Sequence, residues 1–129
     1  MSTKIIMISS AVFLGFLGVF LTFLPNEIMF SLSIVANPIS TMAFQLLGAI
    51  YLGFALLNWM AKGSRIGGIY NKPIAIGNFM HFGAGALALI KIYSEIQVHL
   101  AGVISLTIIY AVFAILFGYI FQTNPSDTV

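Results

Sequence analysis

The sequence predicts an all-α integral membrane fold: an antiparallel four-helix bundle with both termini on the cytoplasmic side and a short interfacial segment after the first span. Three observations predict it: the composition, the lengths of the apolar runs and the placement of the basic residues. Of 129 residues, 60% are hydrophobic and 6% charged, against about 25% charged in a typical soluble protein. Five Lys and Arg with three Asp and Glu cannot coat a globule of this size, so lipid must cover most of the outside. The net charge of +2 is scattered, with no basic block to track a phosphate backbone, and nucleic acid is not an expected partner. Cysteine is absent, which excludes disulfides, thiolate nucleophiles and cysteine-ligated metal sites.

Four runs, 5–24, 42–61, 74–92 and 100–121, approach the length needed to cross a bilayer, about 20 residues for roughly 30 Å of hydrocarbon. Runs this continuous suit helices, which satisfy their own backbone groups in lipid, better than the alternating strands of a barrel. The first is longer than a signal-peptide core and lacks a small-residue cleavage site before Pro25, so it is expected to be retained as a span. Pro25-Asn26-Glu27 closes it. The apolar octet 28–35 is too short to span and is expected to form an interfacial turn or short helix. Asn37-Pro38 offers a cap and a first-turn proline for the second span, and Lys62-Gly63 ends it. The loop SRIGGIYNKP (64–73) ends in a proline that can open the third span. The polar tail 122–129 is expected to be loose.

Orientation follows from the basic residues, because basic loops resist translocation. One side holds Lys4, Lys62, Arg65 and Lys72 and the other only Lys91, which predicts both termini inside and suits a bacterial cytoplasmic membrane. Trp59, Tyr70, Tyr93 and Tyr119 fall near the boundaries, where amphipathic rings settle. Between membrane helices, small residues that allow close backbone approach mark the seams. Ala11, Gly15, Gly18 and Thr22 form such a stripe on the first span, and Thr107, Ala111, Ala114 and Gly118 on the fourth. Gly77, His81, Ala84, Ala88 and Lys91 form one on the third, and Ala49 and Gly53 lie one turn apart on the second.

Two polar constellations stand out. At about 1.5 Å per residue, Asn58 lies roughly 5 Å inside the cytoplasmic end of span two, and Asn78 and His81 roughly 6 and 10 Å inside that end of span three. With Arg65 and Tyr70 of the loop above, they are the candidate ligand-binding residues of a cytoplasm-side polar pocket. Intramembrane polar groups mark functional sites, but the same groups also serve as interhelical hydrogen-bonding glue, and both readings stay open. The second set, Gln45, Lys91 and Glu95 with Glu27 and His99, reads as an outer polar rim, in which Lys91 and Glu95 sit four apart on one helical face.

Several chemistries find no residues to carry them. Heme ligation by His81 and His99 would need them at one depth, yet eighteen residues of helix set them about 27 Å apart. No carboxylate lies within a span for proton coupling, and neither G-x-S-x-G nor H-E-x-x-H occurs. No cofactor is expected.

The stretches GAIYLGFALLNWMAKGS (48–64) and NKPIAIGNFMHFGAGALALIK (71–91) resemble small four-span bacterial membrane proteins of the broad DoxX-like group. The likeness is one of layout over most of the chain: a first span ending in a Pro-containing turn, a Gly-rich second span ending in a basic loop, then two more spans. It implies the four-span fold and a possible link to redox or quinone systems, and it carries no functional residue over. The leading expectation is a non-enzymatic accessory subunit or lipophilic small-molecule or lipid binder, in the bilayer alone, in a homo-oligomer or in a larger membrane complex. A small oligomeric transporter or channel, with its path from Arg65 and His81 toward Gln45 and Lys91, is the alternative, and a quinone- or redox-linked subunit is the third.

Overall fold

A computed structural model describes residues 2–64 and 71–123. Arg65 and Tyr70 of the expected pocket lie outside the described residues, as does the tail from 124. The described chain is helical throughout its elements: α1 (Thr3–Phe23), α2 (Pro25–Ser31), α3 (Pro38–Ala61), α4 (Lys72–Ile92) and α5 (Leu100–Gln122). Among the described residues four helices, α1, α3, α4 and α5, are long and apolar enough to cross a membrane. Two compact units divide the chain, residues 7–62 and residues 63–129 with 1–6.

In the unit 7–62, α1 buries Met7, Ser10, Ala11, Leu14 and Gly18, steps of three and four that keep one stripe inward. That stripe meets α3 in antiparallel register. A methyl on Gly15 would stand 3.6 Å from the Ala55 Cβ, and one on Gly18 would stand 2.9 Å from the Leu52 nitrogen and 3.0 Å from the Gly48 carbonyl. On Gly48 it would stand 2.7 Å from the Thr22 nitrogen and 2.9 Å from the Gly18 carbonyl, and it would also strike the Thr22 hydroxyl. The two helices thus touch backbone to backbone at Gly18 and Gly48. This is the small-residue seam expected for α1, with Gly48 rather than Ala49 as its partner.

Pro25 does more than close α1. It occupies the first turn of α2, where its missing N–H costs nothing, so this short helix begins three residues earlier than the apolar octet suggests. Met29 and Pro25 are buried beneath α2 while Phe30 is exposed. Thr41 Oγ1 donates to Asn26 Oδ1 at 3.0 Å, fastening α2 to α3. Two backbone bonds end α2, from the Ile34 N–H to the Met29 carbonyl (2.8 Å) and from the Ser33 N–H to the Phe30 carbonyl (3.1 Å). This closure needs a left-handed residue, ordinarily Gly, and Ser33 holds it at φ 60°. Ser33→Gly is therefore expected to raise stability by about 0.5–1 kcal/mol, read as a later midpoint in detergent-driven unfolding.

α3 begins four residues before the expected span because its cap is complete. The Asn37 Oδ1 accepts from the Ile39 and Ser40 N–H groups at 3.0 Å each, and the Asn37 N–H returns to Ser40 Oγ at 2.9 Å. Pro38 supplies the preset first turn. At the other end Lys62 Nζ lies 3.1 Å from the centroid of the Trp59 ring, an arrangement in which the indole face attracts the cation.

In the other unit α4 and α5 run antiparallel, and aromatic rings rather than small residues fill the seam. Phe82 is fully buried and stacks on Phe113 (centroids 4.8 Å, 27°) and Phe117 (5.9 Å, 7°). Tyr110 meets it edge-on at 5.2 Å. Small residues receive the rings: Tyr110 covers Gly85, and the Phe79 ring would stand 3.2 Å from a methyl on Gly118. The stripe expected for α4 is displaced around the helix. Ala75, Asn78, Phe82 and Ala86 are buried, whereas Ala84, Ala88 and Lys91 are exposed. On α5 the buried positions are Tyr110, Phe113, Phe117 and Ile120, with the expected small residues on the flank.

Candidate functional site

Asn58 is fully buried in the unit 7–62, and its Nδ2 donates to Ser10 Oγ at 3.0 Å. Ser10 Oγ in turn donates to the Met7 carbonyl at 3.0 Å. Asn58 sits one turn beyond Ala55, so the antiparallel register that sets Ala55 on Gly15 also delivers the amide to α1. Ser10 was not among the residues singled out from the sequence. Its signal was the step of three from Met7 and four to Leu14, which puts a hydroxyl on the same inward stripe as Ala11. An interhelical bond of this kind in lipid contributes about 1 kcal/mol. Asn58→Ala is expected to cost at least about that much through loss of the bond to Ser10, which keeps the Met7 carbonyl as its acceptor. Unfolding in mixed micelles checks this, and no measurable loss would mean that the Asn58–Ser10 bond does not hold α3 to α1.

Asn78 and His81 stand in the other unit, one turn apart on α4. Asn78 is fully buried and its Nδ2 donates to the Ile74 carbonyl one turn back at 2.9 Å. His81 is half-buried, with its ring 4.9 Å from that of Phe82 and 5.7 Å from that of Tyr110. The imidazole thus belongs to the edge of the aromatic cluster.

The outer-rim residues Gln45, Lys91 and Glu95 are all exposed, as are Glu27 and His99. The pairing expected of Lys91 with Glu95 is not made. α4 stops at Ile92, and the Glu95 N–H turns back to the Ile92 carbonyl at 3.0 Å, so Glu95 has left the helical face it would share with Lys91. His99 precedes α5 with a left-handed backbone, φ 59°. Among the described residues no three His, Asp or Glu side chains converge as a metal site would require.

The structure also holds a feature that the sequence reading did not anticipate. Alongside the aromatic seam, α4 and α5 frame an open groove of about 390 Å³, within the 300–1,000 Å³ usual for small-molecule clefts. Its lining is wholly apolar and includes Phe79, Met80, Gly83, Ala84, Ala111 and Ala114. Leu87 and Ile115, on its two walls, are 70% and 71% exposed, so the groove opens to the surroundings. It exists because Gly83, Ala84, Ala111 and Ala114 withhold side-chain volume there, while the bulk of Phe82, Phe113 and Phe117 lies in the seam. His81 is not among its lining residues. A second groove, about 330 Å³, lies farther along the same pair between Ile90, Tyr93, Ile104, Thr107 and Ile108. Chemically the first groove offers dispersion contact to an apolar chain or ring, and the second adds the Tyr93 phenol and the Thr107 hydroxyl, which donates to the Val103 carbonyl at 2.7 Å.

No family model matches the chain, and neither a curated protein nor a solved structure does.

Proposed function

We propose that this chain is a small non-catalytic membrane protein that holds a lipophilic molecule along the α4–α5 pair, on its own or as an accessory subunit of a larger membrane complex. The observation that carries the reading is the exposed apolar groove beside the aromatic seam. A helix pair that served only to fill space would be expected to carry side chains there, whereas four small residues keep it open. Asn58, deep in α3, donates to Ser10 of α1, which supports a helix-positioning role for it. The DoxX-like layout suits an accessory role of this kind. Lys4, Lys62, Arg65 and Lys72 against Lys91 favour both termini in the cytoplasm of a bacterial cell.

Native mass spectrometry of the gently extracted full chain tests the reading. A lipophilic adduct that disappears when the groove is filled by Ala111→Phe is the expected result. A clean protein with no adduct and no partner from native membranes would overturn it.

A further inference from the structure

The two grooves on α4–α5 are segments of one furrow. On α5, residues 104, 107, 108, 111, 114 and 115 follow steps of three and four, so Ile104, Thr107 and Ile108 of one groove continue the face that Ala111, Ala114 and Ile115 give the other. On α4 the same continuity links Met80, Gly83 and Leu87 to Ile90. From Phe79 to Tyr93 the furrow runs fourteen residues, about 21 Å, longer than the roughly 15 Å of a single leaflet. Phe79, packed over Gly118, bounds its deep end.

The other end is chemically different. Tyr93 lines it, and Lys91 stands on α4 beside Leu87 and Ile90, exposed and with no acidic partner among the described residues. Glu95 lies past the helix end, where the backbone turn at Ile92 has taken it off the face of Lys91. A long apolar track that ends at a phenol and an unneutralised ammonium is complementary to one extended chain of an amphiphile with an anionic head.

On this basis, and resting on the lipophilic-binder reading above, we propose that the α4–α5 furrow binds a single phospholipid of net negative charge, one acyl chain laid from Tyr93 toward Phe79 and its head held by Lys91. The lysine contributes as a point charge reaching the headgroup layer on a flexible stem, and Tyr93 sits at the depth where aromatic residues meet headgroups.

The test uses the full chain in lipid nanodiscs made from equal parts of a phosphatidylglycerol and a phosphatidylcholine with the same chains, released into native mass spectrometry. One retained phosphatidylglycerol per chain is expected, preferred about five-fold over phosphatidylcholine, the scale of one lysine near an anionic surface. Lys91→Gln, at an exposed position, is expected to bring the two lipids to parity while one is still retained. Ala111→Phe is expected to abolish retention of either. Should that variant fail to fold, Ile115→Trp at the exposed rim of the groove replaces it. A lipid adduct that Ala111→Phe or Ile115→Trp removes but Lys91→Gln leaves unchanged in its preference would overturn the head-group assignment and leave the lipophilic-binder reading standing. Adducts unaffected by any of these variants are annular lipid, and they overturn the furrow as a site. A second copy of the chain or another protein retained in place of lipid, and lost on filling the groove, overturns the lipid as occupant. No adduct at all from nanodiscs or native membranes removes both readings together.

Discussion

Gly48→Ala is expected to lower the stability of the unit 7–62 by about 3 kcal/mol, at the upper end of what overpacking costs, and Gly48→Val to prevent recovery of folded protein. The reason is what surrounds the missing side chain. The new methyl would meet the Thr22 nitrogen at 2.7 Å and the Gly18 carbonyl at 2.9 Å, and neither backbone atom can rotate aside as a side chain would. Relief requires α1 and α3 to separate, which forfeits the dispersion contacts that hold helices together in lipid, where the hydrophobic effect contributes little. Gly53→Ala is the matched control on the same helix. No atom stands within 4 Å of a methyl there, so the variant is expected to be neutral or more stable by up to about 1 kcal/mol through helix propensity. Steric unfolding midpoints for the two alanine variants, measured in the same micelles, decide the matter: equal midpoints would mean that α1 and α3 do not meet at this point.

Phe82→Ala is the second large effect, expected to cost about 2–4 kcal/mol. In a soluble core the loss of a buried Phe costs about 3–5 kcal/mol, part of which is transfer from water. In a bilayer that transfer part largely vanishes, since the alternative environment is itself apolar. What remains is the cavity and four ring contacts, to His81, Tyr110, Phe113 and Phe117, of the kind worth about 0.5–1.5 kcal/mol. The comparison with Asn58→Ala is informative because the ranking inverts the intuition that polar groups dominate membrane interiors. Unfolding curves for both variants should place the phenylalanine loss well above the asparagine loss. The reverse order would show that the α4–α5 pair is held by something other than its aromatic seam.

The two seams explain how far the sequence was legible. Long apolar runs announce spans whatever surrounds them, because hydrocarbon imposes the same length and backbone satisfaction on every crossing segment. The small-residue rule then found the α1 side of the first seam, since Gly15, Gly18 and Thr22 lie there in order and the contact is backbone on backbone. It misplaced the face of α4, because there the same rule competes with ring packing: Gly85 and Gly118 are small in order to receive Tyr110 and Phe79, while Ala84 and Ala88 line open surface. Nothing in a single helix tells which small residues face a ring on another chain segment. Ser10 escaped notice because a hydroxyl barely registers against its apolar neighbours, and its role emerges only once the antiparallel register brings Asn58 opposite. The expected link between Lys91 and Glu95 failed for a local reason, the end of α4 at Ile92, and helix ends are the least constrained feature of an apolar run. The groove itself is an absence of side-chain volume shared by two helices, which no one-dimensional pattern displays.

The pairing of Lys62 with Trp59 has a practical consequence. The chain contains a single tryptophan, so all indole fluorescence arises from one turn near the end of α3, beneath an ammonium at 3.1 Å. Its emission colour reads how wet that turn is, and quenching by aqueous iodide set against brominated acyl chains reads its depth. The protein therefore carries its own optical ruler for where α3 leaves the bilayer, with no label to attach.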